Sequence, residues 1–209
     1  INGNSIGQTA FGYGTQATGN ASFSAGEGTE ASGSHAVVFG KNTIASGDYS
    51  TALGSTTTAS GNYSTSLGKS TTASGSQSTA FGESSTASGY ASLSTGRSNT
   101  ASGYNSTAMG RSSTASGYYS TVIGYNATAS DYASFVIGQY NSSGSSATSA
   151  GSYDATAPAF VIGNGTSGNT SDAFKVLFNG NTTVSNDLTV SGDVVVSSDA
   201  RLKANIVSL

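Results

Sequence analysis

Residues 58–75 read TASGNYSTSLGKSTTASG, and the fold is decided by how this stretch repeats. The tetrapeptide TASG begins at Thr58 and returns at Thr72, Thr86, Thr100 and Thr114, with variants at residues 30–33, 44–47 and 128–131. Between these lies a second half-repeat, of the kind YSTALG at residues 49–54. Glycine therefore stands at every seventh position from Gly12 to Gly138, except at Asp131. So strict a period fixes a repeat architecture before any single residue is weighed.

Each half-repeat offers about five residues of Ser, Thr, Ala and one bulkier apolar group, which is strand length and strand composition. A residue free to adopt positive φ follows it. Two short strands and two tight corners make one coil, and stacked coils pair backbone with backbone at ~4.8 Å. The predicted fold is all-β: a parallel β-roll, or solenoid, of fourteen-residue coils on the order of 40 Å long over residues 13–138. Asp131 fits a corner on this reading, because Asp is among the few side chains that tolerate left-handed backbone.

Parity along the strands suggests an interior. Phe11, Phe39, Leu53, Leu67, Phe81, Met109, Ile123 and Ile137 form a bulky apolar column, and its two small members, Ala25 and Thr95, are each preceded two positions earlier by a large residue, Phe23 and Leu93. Positions two apart share a strand face, so volume is conserved along that face, which is expected to be the core. Alanine recurs without a break from Ala17 to Ala129 in the other half-repeat, as it must where two backbones come close. The opposite parity reads Ala52, Ala80, Ala108, Val122 and Val136, so the strand is expected to be covered on its back as well. Thin coils bury little apolar area against roughly 1–2 kcal/mol of backbone entropy per ordered residue, and association of identical rolls is the simplest remedy.

At this point the residues carry a resemblance. STVIG at residues 120–124, Ala129, and SFVIG at residues 134–138 resemble the head repeats of YadA-type trimeric autotransporter adhesins. The likeness covers about residues 5–138, with a degenerate copy at residues 159–163. It implies a left-handed roll and a homotrimer. Similar rolls also occur in phage fibres.

With 8% charged residues, 29 Gly, one Pro and no Cys, the chain is turn-rich and β-rich, and its apolar positions are too periodic for disorder. A net charge of −3 with no basic stripe argues against nucleic acid as a partner. No apolar run approaches the length of a membrane span, and neither cofactor nor metal is expected. The lack of cysteine leaves the redox compartment open.

Residues 1–12 read as a ragged lead-in, the cut edge of a preceding segment. Through the roll one corner column holds nearly all the charge, including Glu27, Lys41, Lys69, Glu83, Arg97 and Arg111, and is read as a solvated edge. The other corner carries Tyr90, Tyr104, Tyr118 and Tyr132 one coil apart, with Tyr49, Tyr63 and Tyr119 one position further on. Such a ladder of amphipathic rings suits contact with a host receptor, though it equally shields the corner backbone. His35 has no second His or carboxylate cluster near it in the sequence and is given no catalytic role. Residues 139–172 are expected to be an irregular last coil with an inserted loop and a linker, since FVIG returns only at residues 160–163. Alternation at Phe174, Val176 and Phe178 and the turn pair Asn179-Gly180 then predict a small β-stalk over residues 173–197.

The closing run SDARLKANI at residues 198–206 suits a capped short helix on physical grounds. It is also similar to the start of the endosialidase-type intramolecular chaperone domain of phage tail fibres and tailspikes. That resemblance implies a truncated chaperone over residues 198–209, with Ser198 and Lys203 as a pair that cleaves the chain after the serine once the whole domain is present. The chain itself is not expected to be an enzyme. Three functions follow: a trimeric phage tail fibre shaft or head on the virion, a bacterial cell-surface adhesin of the autotransporter type, and an ice-binding solenoid. The last rests on the hydroxyl lattice of Thr58 with Ser60, Thr72 with Ser74, and their equivalents.

Overall fold

The structure, a computed structural model, describes residues 6–142 and 149–191. It is a parallel β-solenoid of fourteen-residue coils, with no helix among the described residues. Each coil contributes a five-residue strand, such as Thr51–Ser55, and a two-residue strand, such as Thr58–Ala59. The five-residue strands stack into a long sheet and the two-residue strands into a nine-stranded short sheet. Pairing is parallel and in register, so that Thr51 opposes Thr65, Leu53 opposes Leu67 and Gly54 opposes Gly68. Like residues therefore lie over like, and every column of the sequence becomes a row along the roll.

The glycines of the long strands, Gly54 at φ 133° and Gly68 at 124° among them, take the positive φ expected, those of the other half-repeat do not, and the tight left-handed corners lie on neither set. Those corners fall two residues after each glycine, on Thr56, Tyr63 and Ser70 at φ of 58°, 59° and 55° and on their equivalents. The strain is offset by bonding between coils: the amides of Thr56, Tyr63 and Ser70 donate to the carbonyls of Lys41, Asp48 and Ser55 at 2.8 Å. In the short half-repeat glycine is demanded by proximity alone. A Cβ on Gly75 would lie 2.0 Å from the Gly89 carbonyl oxygen, although Gly75 itself has no positive φ. Asp131 likewise has no positive φ; it stands where the short sheet ends, at Thr128–Ala129.

The interior has the opposite parity to that expected. Ala52, Ala80 and Val122 are 0% exposed, whereas Phe39 is 47%, Phe81 54% and Ile123 42% exposed. The space between the two sheets is filled by the Ala/Ser/Val column and by the alanines of the short strands, Ala31 to Ala129. A coil with a two-residue wall is too thin for Phe or Leu inside, so the bulky column faces outward. Phe23 and Leu93 share that outer face with it, being two positions along the same strands.

The C-terminal end is closed by different grammar. Pro158–Asn164 pairs in parallel with Phe135–Gln139 across the insertion, placing Phe135 opposite Phe160 and Ile137 opposite Ile162. Asp172–Leu177 then pairs antiparallel with Pro158–Asn164, and Thr182–Val184 pairs with Asp172–Leu177 through the hairpin at Asn179-Gly180. The start of the region read as a separate stalk is thus a continuation of the roll's own long sheet. The rest of it, residues 192–197, lies outside the described residues, as do Ser198 and Lys203.

Candidate functional site

Three surfaces run the length of the roll. The first is the outer face of the long sheet, carrying the bulky column together with Phe23, Val37, Thr51 and their equivalents. Its aromatics meet across coils: Phe23 and Phe39 at 5.0 Å between ring centres, Phe135 and Phe160 stacked at 5.8 Å.

The second is the charged corner. Lys41 pairs with Glu27 at 3.1 Å, and Glu83 takes Lys69 and Arg97 at 3.4 Å each. These pairs are well exposed, so each contributes little to stability, and their alternation mainly relieves repulsion between like charges one coil apart. Arg111 instead lies over the Tyr125 ring at 5.5 Å. The Tyr140 hydroxyl beside Tyr125 lowers the Tyr125 phenol below its ordinary pKa, and the same contact raises Tyr140.

The third is the aromatic corner. Tyr90 and Tyr104 stack at 4.9 Å, but the regular ladder ends there. Tyr104 meets Tyr118 tilted at 5.8 Å and Tyr119 edge-on at 5.8 Å, and Tyr132 touches Tyr119 edge-on at 5.4 Å. His35, which the sequence left alone, stacks on Tyr49 at 4.7 Å, and Tyr49 on Tyr63 at 5.1 Å. The aromatic corner is thus two runs, separated at Gln77. The signal for the second run was in the sequence: His35, Tyr49 and Tyr63 are fourteen apart in the left-handed column.

Ser149 and Ala150, in the described part of the insertion, lie on this corner. Ala150 accepts the Tyr118 amide at 2.7 Å and Ser149 accepts the Tyr132 amide at 3.2 Å. The return of the chain is pinned at Asp154, whose carboxylate accepts the Thr156 amide and hydroxyl at 2.8 Å; those two bonds hold the acid below the usual carboxylate range. A cleft between the last coil and the capping strands is lined by Asp131, Asn141, Asp172 and Lys175. Asn141 there stands in for the missing next coil, its side-chain amide accepting from the Thr128 amide at 2.8 Å and donating to the Thr128 carbonyl at 2.9 Å.

Among the described residues no three His, Cys, Asp or Glu side chains cluster to hold a metal, and no helix is long and apolar enough to cross a membrane. The arrangement offers extended surfaces for contact. The model of the YadA head domain repeat, built as two copies, matches seven overlapping windows that together span residues 31–141. No curated protein matches the chain.

Proposed function

Because the chain belongs to the family of YadA head domain repeats, we propose that it is the trimeric, receptor-presenting shaft or head of a phage tail fibre. One observation carries the assembly. The outer face of the long sheet is apolar and lies open on the single chain, yet every coil sets at least one large apolar residue on it, with Phe23 standing in beside Ala25 and Leu93 beside Thr95. Free surface has no reason to carry a large apolar group in every coil; a packed face does. Three parallel rolls meeting on these faces bury the column and leave corners to the outside, Tyr90, Tyr104, Tyr118 and Tyr132 among them.

The tail-fibre setting rests on the run from Ser198 to Ile206, whose resemblance to the phage chaperone junction also supplies Ser198 and Lys203 as a single-turnover cleavage pair. A bacterial surface adhesin is the second reading, favoured by the family itself. The two separate on where the labelled protein binds. Fluorescent protein shown by light scattering to contain three chains is applied to a panel of bacterial cells and to animal cells. Staining of bacteria alone is expected for the tail fibre and staining of animal cells for the adhesin, while a stable folded monomer would sink both. Thermal hysteresis measured on the same sample disposes of ice binding if none is seen.

A further inference from the structure

The first residue after each Ala-Ser-Gly or equivalent presents a backbone amide on the aromatic corner, and these amides are satisfied in two different ways along the roll or left open. In the N-terminal half the corner seals itself: the Ser34 amide donates to Asp48 Oδ1 at 2.9 Å and the Asp48 amide to Asn62 Oδ1 at 3.1 Å. At the C-terminal end a peptide segment does the sealing, since Tyr118 and Tyr132 donate to Ala150 and Ser149. Between them the amides of Asn62, Ser76, Tyr90 and Tyr104 have no partner within the described residues.

The gap opens where Ser76 follows Asn62, its hydroxyl donating to the Asn62 carbonyl at 3.2 Å, and it continues where the column turns to tyrosine. At Tyr90, Tyr104 and Tyr118 the column offers no carboxylate or amide oxygen to the previous coil's amide and sets a ring beside it instead. The docked segment shows what such a place accepts. Two consecutive carbonyls, of Ser149 and Ala150, reach amides one coil apart, and Gly151 follows against the Tyr118 ring, where even an added methyl would sit at an ordinary 3.8 Å. Continued in the same direction, the next amides along the ridge are those of Tyr104 and then Tyr90.

We propose that the ridge over Tyr104 and Tyr90 is a docking site for a peptide segment of a partner protein, which lays two successive backbone carbonyls on those amides and small side chains against the two rings. The occupant is argued to be polypeptide from the segment at Ser149 and Ala150, which is seated on the same ridge with its carbonyls on amides one coil apart. The site rests on the receptor-presenting reading and narrows it to a protein receptor. Recognition is through backbone, so it selects small residues and a local chain direction more than a particular sequence.

The test uses the assembled protein and a fluorescent nine-residue peptide with the sequence of residues 149–157. Saturable binding is expected, with slower hydrogen exchange at the Tyr90 and Tyr104 amides and no change at those of Ser34 and Asp48. The double variant Tyr90→Ala with Tyr104→Ala is expected to weaken binding by about tenfold or more, and Tyr49→Ala with Tyr63→Ala to leave it unchanged. An intact trimer that protects neither amide overturns the docking site while leaving the shaft. Dissociation of the double variant overturns it by placing the ridge in the subunit contact, and stronger protection by an N-acetylglucosamine trimer than by the peptide overturns it in favour of a glycan. Folded monomers that still protect both amides would overturn the trimer and support the site, so the two readings fail separately.

Discussion

Ser50 and Ser64 occupy the same buried column one coil apart, yet their hydroxyls differ. Ser50 donates to the Gly47 carbonyl at 2.6 Å, as Ser22, Ser92, Ser120 and Ser134 do to their own coils at 2.7–2.8 Å, whereas the hydroxyls of Ser64, Ser78 and Ser106 are buried without a partner. Ala36 holds the same position and fits it. A buried hydroxyl with no partner has lost its hydration for nothing, so Ser64→Ala is expected to be neutral or to stabilise, while Ser50→Ala costs about 1 kcal/mol. Urea midpoints of the two variants read the difference directly, and an equal loss at both sites would refute it. Such distinctions are hidden in the letters: one serine column contains both kinds of hydroxyl. The glycine column hides two constraints in the same way. Gly54 combines φ of 133° with a 1.9 Å approach of the Gly68 oxygen to its would-be Cβ, whereas Gly75 has the close approach alone. The period was legible because steric necessity repeats at each coil; which necessity applied was not, since it depends on where the facing carbonyl points.

At the scale of the strand, alternation was read correctly and its sense was inverted. Period-two patterning shows which residues share a face, but with Ala and Ser on one side and Phe, Leu and Ile on the other, size alone suggested that the large residues lie inside. The two-residue strands decide otherwise, since a coil this narrow admits only small groups between its walls. The same geometry leaves open edges, and the C-terminal edge is closed by the capping hairpin. Phe160 stacks on Phe135 below it and meets Phe174 of the cap edge-on at 6.0 Å, so the aromatic row continues across the change from parallel to antiparallel pairing. Ending the chain before Asp172 is expected to bare the amides and carbonyls of Pro158–Asn164 and to produce end-to-end association with a mass that grows with concentration in light scattering. A truncated protein of constant mass would mean that the hairpin terminates nothing.

For the molecule as a whole, the decisive question is whether the outer face of the long sheet is ever wet. Eight of its aligned coils place a large apolar residue in the column from Phe11 to Ile137, and the two that do not, at Ala25 and Thr95, carry Phe23 and Leu93 in the neighbouring column. If the face were solvated, Phe23→Ala would lose its contact with Phe39 and some exposed apolar area, with a small effect on the folded chain. If three rolls meet there, the same change opens a cavity in every subunit, a loss of about 3–5 kcal/mol at each site, and the assembly should fall apart at lower protein concentration. The face supplies its own control. Adding Ala25→Phe to Phe23→Ala moves the ring to the place it occupies in the coil of Phe39, so volume is restored two positions along the same face. Recovery of the trimer in the double variant, read from the concentration dependence of its mass and melting temperature, is expected only if the face is packed. Failure of the second substitution to rescue the first would show that the alternation of large and small residues there conserves nothing.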